Sequence, residues 1–267
     1  MSTKTILVKI GGEVAESKDT AETLLQDLVE LKSQGYRVVL CHGGGPQITR
    51  ELKNRGVEAR FVNGQRVTDA ETLKLTCQIL LGEINCTLVS LCNKKGFAAV
   101  GLSGLDAGLY QSKSKDASLG FVGQIEKVNL EHINSILSQG LIPIVASIGI
   151  GMDGQIYNIN ADSAAGELAR ALEVEQYLVF TNVDGLYRNF PDKDSLIKQA
   201  SLSEIKDLMA GGSIVEGMIP KLESVISALD GKVGKAVIVD GRKDHAILNV
   251  VQGLKENRQI YGTVITK

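Results

Sequence analysis

The sequence predicts an α/β fold built on a mainly parallel central sheet. Short β-branched runs alternate with helical patterns along almost the whole chain, and these runs are apolar on both faces. Strands of this kind are buried in a parallel sheet that helices cover on both sides. The predicted strands are Thr5–Ile10, Arg37–Cys41, Phe97–Leu102, Ile142–Ile148, Tyr177–Thr181 and Ala236–Asp240.

The helices between these strands have recognisable ends. The pairs Asp19 with Glu22 and Ser201 with Glu204 have the spacing of capping boxes. A long helix is predicted from Thr68 or Asp69 to about Lys94, with leucines along one side. Its apolar surface is large for one lobe, so either a partner subunit shares it or its own domain wraps around it.

The other segments predict hairpins and a division into two lobes. Tyr110–Val128 is polar and contains two glycines, which favours β-hairpins that project from the sheet. A helix ends and a new strand–helix series begins near Glu173–Gln176. We therefore predict an N-terminal lobe of residues 1–174 and a C-terminal lobe of residues 175–267.

Composition points to a soluble cytoplasmic protein. Hydrophobic residues make up 43% and charged residues 22% of the chain, and the net charge of -2 comes without a basic run. This balance does not suggest a nucleic-acid or membrane partner. The four cysteines lack C-x-x-C spacing, which is typical of buried thiols in a reducing compartment. No signal peptide is recognisable, and no segment approaches the roughly 20 apolar residues of a membrane span.

Glycine clusters follow the first two predicted strands. Gly11 and Gly12 follow the first strand, and the run 43–45 follows the second, with Pro46 suited to a first helical turn. Glycines there let backbone N–H groups and a helix N-terminus approach an anion. Ligands of open α/β sheets bind at this edge. Two such turns favour a phosphorylated or carboxylated ligand over simple tight turns.

Two common nucleotide signatures are excluded by the sequence. No G-x-x-x-x-G-K-[ST] segment occurs, so the chain is not a P-loop enzyme. Gly149, Gly151 and Gly154 match the dinucleotide pattern, but the residues that follow, Gln155–Asn160, alternate like a strand. We therefore interpret Met152–Gly154 as a hairpin turn.

Three charged residues stand in unusual places. Lys9 interrupts an apolar run, so either an anionic group lies near its ammonium or the side chain extends to solvent. Asp162 begins an alanine-rich helix and is either functional or a helix cap. Lys221 lies at a predicted helix start, where a cation opposes the helix dipole. Beside the glycines, His42 is better suited to bond the loop backbone than to act as a base, and no metal-ligand spacing occurs.

Six segments of the sequence resemble the amino-acid kinase family in order, over essentially the whole chain. The segment NG-x-RVTD favours members that phosphorylate N-acetyl-L-glutamate. The six segments are LVKIGG (Leu7–Gly12), CHGGGPQI (Cys41–Ile48), FVNGQRVTD (Phe61–Asp69), NINADSAA (Asn158–Ala165), TNVDGLY (Thr181–Tyr187) and EGMIPK (Glu216–Lys221).

The resemblance implies a three-layer αβα sandwich around a mainly parallel sheet of about eight strands. The N-terminal lobe would bind N-acetyl-L-glutamate and the C-terminal lobe ATP, with Mg²⁺ carried by the nucleotide. ATP would phosphorylate the γ-carboxylate to give N-acetyl-L-glutamyl 5-phosphate, a step of arginine biosynthesis. A carboxylate with a pKa near ~4.3 is already ionised at neutral pH, so no general base is needed.

The resemblance also implies the roles of individual residues. The catalytic residues would be Lys9, Asp162 and Lys221. The acceptor would be bound by Gly44, Gly45, Arg66, Asn158 and Asn160. The nucleotide would be bound by Gly11, Gly12, Thr181, Asn182, Val183, Asp184, Gly185, Leu186, Ile214, Val215 and Met218. No residue is assigned to a metal ion.

The sequence leaves two alternative functions open, and it gives one expectation about assembly and one about regulation. Gly101–Asp106 also resembles the carrier-protein-linked aminoadipate kinases of lysine biosynthesis, and an inactive amino-acid sensor could share the fold. The three charged residues together argue against a sensor. We expect a homodimer formed by the N-terminal lobes around Thr68–Lys94. Arginine-inhibited members carry a helix before the first strand, so we expect no response to arginine here.

Overall fold

Strands alternate with helices along the chain in the computed structural model, which describes residues 4–12, 14, 17–62, 64–212 and 214–267. The first eight strands are β1 Thr5–Ile10, β2 Arg37–His42, β3 Phe61–Val62, β4 Gln65–Arg66, β5 Ala99–Ser103, β6 Tyr110–Ser114, β7 Gly123–Val128 and β8 Ile142–Ala146. The others are β9 Ile148–Ile150, β10 Ile156–Asn158, β11 Gln176–Thr181, β12 Leu186–Tyr187, β13 Leu196–Ile197, β14 Gln199–Ser201, β15 Lys235–Asp240 and β16 Thr263–Thr266.

The helices cover the sheet and connect its strands. The α-helices whose bounds lie within the described residues are α1 Lys18–Ser33, α2 Gly45–Asn54, α3 Ala70–Cys77, α4 Cys86–Lys94, α5 Glu131–Ser138, α6 Ala161–Ala171, α7 Leu202–Ala210, α8 Ile219–Asp230 and α9 Ala246–Lys255. A π-helix, Gln78–Asn85, joins α3 to α4. Short 3₁₀ helices lie at Asp106–Gly108, Ala117–Leu119, Lys193–Ser195 and Glu216–Met218.

The main sheet has eight strands in the order β14-β16-β15-β11-β1-β2-β8-β5. Its pairs are parallel except β15 with β16. One hydrophobic core on one face contains side chains of α1, the π-helix and α9, and a second core on the other face contains side chains of α5, α6 and α8. The predicted αβα sandwich around a mainly parallel sheet of eight strands is therefore confirmed.

Most predicted strands begin and end within two residues of the observed ones. The exception is the predicted strand Ile142–Ile148, which is two strands. A bend at Ser147 ends β8, and β9 then joins a different sheet. A run that is apolar except for one serine does not reveal such a bend, because the strands on both sides are buried.

The hairpin predictions are confirmed by a second sheet of four strands, in the order β10-β9-β6-β7. Strands β6 and β7 pair antiparallel within the predicted Tyr110–Val128 region. Strands β9 and β10 also pair antiparallel, and the turn between them contains Gly151 and Gly154. The glycine pattern after β8 is thus a hairpin turn, and the interpretation of Met152–Gly154 is correct.

One of the two predicted capping boxes is correct. Ser201 caps α7 and Glu204 bonds back to it. The other helix starts earlier than predicted, because Ser17 caps α1 by accepting a hydrogen bond from Thr20 N at 3.3 Å. Asp19 lies in the first turn, where its negative charge favours the helix dipole without capping.

The predicted long helix spans Ala70–Lys94 and is capped by Asp69, whose side chain accepts a hydrogen bond from Thr72 N at 2.8 Å. Its central residues form the π-helix, which the apolar periodicity did not predict. An 18-residue window of this 25-residue helix has a mean hydropathy of 1.5, so by length and composition alone the helix could cross a membrane. However, Leu75, Leu80 and Leu88 are buried in the hydrophobic core.

The main sheet is continuous across the predicted lobe boundary. Strand β1 pairs in parallel with β11, and Val8 lies opposite Leu178. Residues 1–174 contribute β1, β2, β5 and β8, and residues 175–267 contribute the other four strands. The division into two functional lobes stays a prediction. The expected absence of a helix before β1 concerns residues 1–3, which lie outside the described residues.

The β1–β11 junction should be a sensitive point for stability. We predict that Leu178→Ala lowers the free energy of unfolding by about 2–5 kcal/mol, because this fully buried side chain leaves a cavity between the strands and α-helices. Met152→Ala is the control, since Met152 is 84% exposed. Chemical denaturation should show a clear loss for the first variant and a change below about 0.5 kcal/mol for the second. Equal stabilities would contradict the central place of the junction.

Candidate active site

The two glycine turns lie side by side at the carboxyl ends of β1 and β2. Ile10 pairs with His42, the last residue of β2, so the turns leave neighbouring strands at the same level. A Cβ atom on Gly12 would lie 3.0 Å from Gly44 Cα, and one on Gly44 would lie 2.4 Å from Ile84 Cδ1. The absence of a side chain at Gly12 lets the two turns approach each other, and its absence at Gly44 lets the second turn pack against Ile84.

The second turn begins a helix that has no side-chain cap. Gly44 is the N-cap of α2, and Pro46 occupies the first turn. A Cβ atom on Gly11 or Gly45 would meet no atom within 4 Å, so both backbones face open space. Free N–H groups of a first helical turn, together with the helix dipole, suit an oxyanion.

Lys9, Asp162 and Lys221 form one buried ion cluster. The Nζ of Lys9 lies 2.6 Å from Oδ1 of Asp162, and the Nζ of Lys221 lies 3.1 Å from Oδ2. The side chains of Lys9, Asp162 and Lys221 are 5%, 8% and 17% exposed. The anionic partner that the sequence required for Lys9 is thus Asp162, and the alternative in which Lys9 extends to solvent is wrong.

The protonation states of this cluster follow from burial and charge. Burial acts to raise the pKa of Asp162, but the ammonium groups of Lys9 and Lys221 outweigh it and lower that pKa. Burial and the nearby charge of Lys9 lower the pKa of Lys221, and Asp162 opposes this shift. The cluster is two ammonium groups joined by one carboxylate.

Close packing of α6 on α8 brings Lys221 to Asp162. A Cβ atom on Gly166 of α6 would lie 2.7 Å from the carbonyl oxygen of Ser224, so only glycine permits this approach. The hydroxyl groups of Ser224 and Tyr177 are 3.1 Å apart beneath the cluster. The alternative that Asp162 is the helix cap is wrong, because that role belongs to Asn160.

Asn158 and Asn160 connect the cluster to the neighbouring hairpins. The side-chain oxygen of Asn160 accepts hydrogen bonds from the N–H groups of Asp162 at 2.9 Å and Ser163 at 3.1 Å. The side chain of Asn158 donates to the hydroxyl of Thr68 at 3.0 Å. Asn160 therefore positions Asp162, and its oxygen is occupied by this cap.

Arg66 is buried next to the second glycine turn. Its Nη2 donates to the carbonyl of Gly45 at 3.0 Å and to the hydroxyl of Thr49 at 2.8 Å, and its guanidinium lies 4.7 Å from the centre of the Phe61 ring. Its buried Nη1 has no hydrogen-bond partner among the described residues. Burial lowers the pKa of Arg66. A buried N–H donor without an acceptor costs free energy, and a carboxylate ligand would supply the acceptor that Nη1 lacks.

A cavity of about 500 Å³ opens beside the cluster, between the first glycine turn and the segments after β11. It is large enough for a small-molecule ligand. Its lining includes ten of the eleven residues predicted to bind the nucleotide: Gly11, Gly12, Thr181, Asn182, Val183, Gly185, Leu186, Ile214, Val215 and Met218. Lys9 and Lys221 also reach its wall.

The eleventh residue, Asp184, is not part of this lining. Its carboxylate pairs with Lys243 at 2.6 Å and accepts a hydrogen bond from the hydroxyl of Tyr187 at 3.0 Å. These partners lower the pKa of Asp184. Its carboxylate thus links the loop after β11 to Lys243 and to Tyr187.

The cavity also has walls that the sequence did not predict. Phe180, Tyr187, Phe190 and Arg242 line it. The guanidinium of Arg242 bonds both oxygens of Asp240 and the carbonyl of Asn182. Phe180 lies near the end of a buried strand and looks like a core residue in the sequence. Arg242 gave no signal because the carbonyl that it bonds, that of Asn182, follows a different strand.

The segment Gly101–Asp106 lies at the edge strand β5. The carboxylate of Asp106 accepts hydrogen bonds from the N–H and hydroxyl groups of Ser103 at 2.6 and 2.8 Å. The segment thus closes a turn and is not part of the cavity lining. Among the described residues, no group of three His, Cys, Asp or Glu side chains could hold a metal ion.

Known proteins are similar to this chain in sequence and in fold. Residues 4–240 match the profile of the amino acid kinase family. The chain is 44% identical to the acetylglutamate kinase of Desulfitobacterium hafniense, over 92% of this chain and 86% of that protein. It is 41% identical to the acetylglutamate kinase of Lactococcus lactis, over 92% of this chain and 87% of that protein.

Solved structures give the same fold. An N-acetylglutamate synthase of Neisseria gonorrhoeae superposes with a TM-score of 0.86 at 24% identity, over 99% of this chain, which spans 59% of that synthase. A carbamate kinase of Giardia superposes with a TM-score of 0.74 at 18% identity, over the full length of both chains. At these identities the structures support the fold alone. The profile match and the identities of 41–44% show that the chain belongs to the amino acid kinase family.

Proposed function

We propose that the chain transfers the γ-phosphoryl group of ATP to the γ-carboxylate of N-acetyl-L-glutamate, a step of arginine biosynthesis. The observation that carries this proposal is the buried cluster of Lys9, Asp162 and Lys221, which lies between paired glycine turns and a cavity of about 500 Å³. The curated relatives that are 41–44% identical are acetylglutamate kinases, which supports this acceptor.

The cluster suits phosphoryl transfer to a carboxylate. The acceptor is already ionised at neutral pH, so alignment and charge neutralisation are what the protein must supply. Two ammonium groups fixed by one carboxylate can face charge on the acceptor, the transferring group and the leaving group. Asp162 would position the lysines and would not act as a base, because its pKa is lowered.

ATP would occupy the cavity next to the cluster. Its base would contact the apolar wall that Ile214, Val215 and Met218 contribute, and its phosphates would lie along Gly11 and Gly12. Both oxygens of Asp162 already contact lysines, so we assign no protein ligand to Mg²⁺. We propose that Mg²⁺ is held by the phosphates and water, as is common for nucleotide-bound magnesium.

The acceptor would lie on the other side of the first glycine turn. Gly44 and Gly45 would donate backbone hydrogen bonds, and Arg66 would bind the α-carboxylate through its unpartnered Nη1. Asn158 borders the same region through its bond to Thr68. Under this proposal the lobe of residues 1–174 binds the acceptor and that of residues 175–267 binds ATP in a cytoplasmic enzyme.

A coupled ADP-release assay tests the function directly. Purified protein should release ADP with N-acetyl-L-glutamate and ATP, and not with unmodified L-glutamate, whose ammonium group replaces the neutral amide. Activity only with an aminoadipate presented on a carrier protein would favour the alternative from the sequence. Absence of turnover with both would contradict the proposed function.

We predict that Lys9→Ala and Lys221→Ala each lower kcat about 10²–10³-fold, with much smaller effects on either KM. Each lysine faces charge that shifts in the transition state, so its loss affects the chemical step most. Lys113→Ala is a suitable control because its ion pair with Glu126 is exposed. Steady-state kinetics with both substrates should separate the effects. Near-normal turnover in either cluster variant would exclude the assigned role.

We predict that Arg66→Lys raises the KM for N-acetyl-L-glutamate about tenfold and leaves the KM for ATP almost unchanged. A lysine keeps the charge but loses the planar fork that can bond a carboxylate, Gly45 and Thr49 together. Arg60→Lys provides a matched control, because Arg60 is exposed on the same segment. If the KM for ATP rose as much as the KM for the acceptor, Arg66 would not contact the acceptor.

We further propose a homodimer formed around the helix Ala70–Lys94 and the edge strand β5. Leu81, Val89 and Leu105 line a surface groove between this helix and β5, and β5 ends the main sheet. Light scattering should give twice the 28.6 kDa mass of the chain, and Leu81→Glu should shift the protein toward the monomer. A monomeric or hexameric wild-type protein would reject this arrangement.

A further inference from the structure

The buried amide of Asn85 has an orientation that the surrounding backbone dictates. Asn85 ends the π-helix and is 7% exposed. Its Nδ2 lies 2.9 Å from the carbonyl oxygen of Ile144 and 3.4 Å from that of Leu102. A carbonyl oxygen can only accept a hydrogen bond. The NH₂ end of the amide must therefore face these two strands, since the reverse orientation would place oxygen against oxygen.

This orientation determines which nitrogen of His42 carries the proton. The same Nδ2 of Asn85 lies 3.0 Å from Nε2 of His42. An amide nitrogen donates only, so Nε2 must be the unprotonated acceptor. The proton of a neutral imidazole is then on Nδ1, which lies 3.2 Å from the carbonyl oxygen of Gly43. Nδ1 therefore donates to the first residue of the second glycine turn.

The imidazole is neutral and isolated from the ion cluster. Burial lowers the pKa of His42 to about 4, and the carbonyl of Gly43 opposes this shift only in part. Lys9 pairs with Cys41, one residue before His42, so the lysine leaves the opposite face of the sheet. The face of His42 is packed with Ile10, Ala146 and the apolar residues of the π-helix, and no charged side chain contributes to its pKa shift.

The π-helix contacts the turn at a second point. The side chains of Leu80 and Ile84 lie so close to Gly44 that a Cβ atom there would be 2.8 and 2.4 Å from them. The π-helix is thus in contact with Gly44 directly and with Gly43 through His42. π-Helices are rare, and their altered side-chain spacing often serves a functional site.

We propose that Asn85 and His42 are positioning residues for the phosphoryl acceptor. The hydrogen bonds from Asn85 to His42 and from His42 to Gly43 hold the turn of residues 43–45 in the position in which its N–H groups contact the acceptor. This inference rests on the proposed function, because that function places the acceptor at Gly44 and Gly45. The two residues touch no substrate and act only through the turn.

Wild-type protein provides the first test, without any assay of activity. The chain has three histidines, and His132 and His245 are exposed, so nitrogen-15 labelling of histidine gives three resolvable imidazoles. The signal of His42 is identified by its absence from the spectrum of His42→Asn. We expect one imidazole to be protonated on Nδ1 and to stay neutral from about pH 8 to about pH 5. An Nε2–H form of His42, or its protonation within that range, would overturn the inference.

Kinetics provide the second test. His42→Leu removes the bond to Gly43, while Asn85 keeps its two carbonyl partners. We expect the KM for N-acetyl-L-glutamate to rise about tenfold, the effect of about one hydrogen bond, with the KM for ATP within about twofold. His42→Asn can donate from the Nδ1 position and should recover most of the loss. His132→Leu is the matched control on an exposed helix.

The double variant tests whether the two residues act in series. Asn85→Leu should raise the same KM, and adding it to His42→Leu should raise it little further. A structural role alone would instead change both KM values together, in proportion to the loss of thermal stability. If the wild-type enzyme does not phosphorylate N-acetyl-L-glutamate, the proposed function fails, and the nitrogen-15 spectrum still shows whether His42 makes the inferred hydrogen bonds. If the wild type is active and His42→Leu has normal KM values, the inference alone fails.

Discussion

The ion cluster of Lys9, Asp162 and Lys221 is the interaction on which the rest of the structure depends. Its members come from the end of β1, the first turn of α6 and the first turn of α8, and they meet within 3.1 Å. Removing Asp162 from this buried cluster would leave two uncompensated positive charges, which is strongly destabilising. The geometry of these elements is therefore fixed together: Gly166 permits α8 to approach α6, and Asn160 fixes the start of α6.

The sequence predicted those site residues whose type is unusual for the local sequence pattern. A lysine in an apolar strand and glycine runs after two strands are anomalies, and each coincides with a feature of the cluster or of the turns. Asn85 gave no such signal, since an amide within an apolar helical pattern resembles a surface position. Its burial depends on the π-helix, whose extra residue per turn rotates the following side chains and cannot be inferred from a period of 3.6.

The sequence pattern also failed to predict those parts of the fold that tertiary contacts determine. The bend at Ser147 separates two apolar strands into different sheets, and the residues on both sides are equally buried. Phe180 resembles a core residue in the sequence, yet its side chain lines the cavity. The mainly parallel character of the sheet, by contrast, was predicted from runs of β-branched residues that are apolar on both faces.

The charge count of the cluster has a consequence for the energy of the whole chain. Two ammonium groups share one carboxylate in surroundings of low polarity, so the folded protein carries a positive surplus there. This is local electrostatic frustration: the sequence keeps a second cation where an aliphatic side chain would make the folded state more stable. An anion bound next to the two lysines would relieve it. Part of the stability that this fold could reach is thus given up at this cluster, and selection on function alone can maintain such a loss of stability.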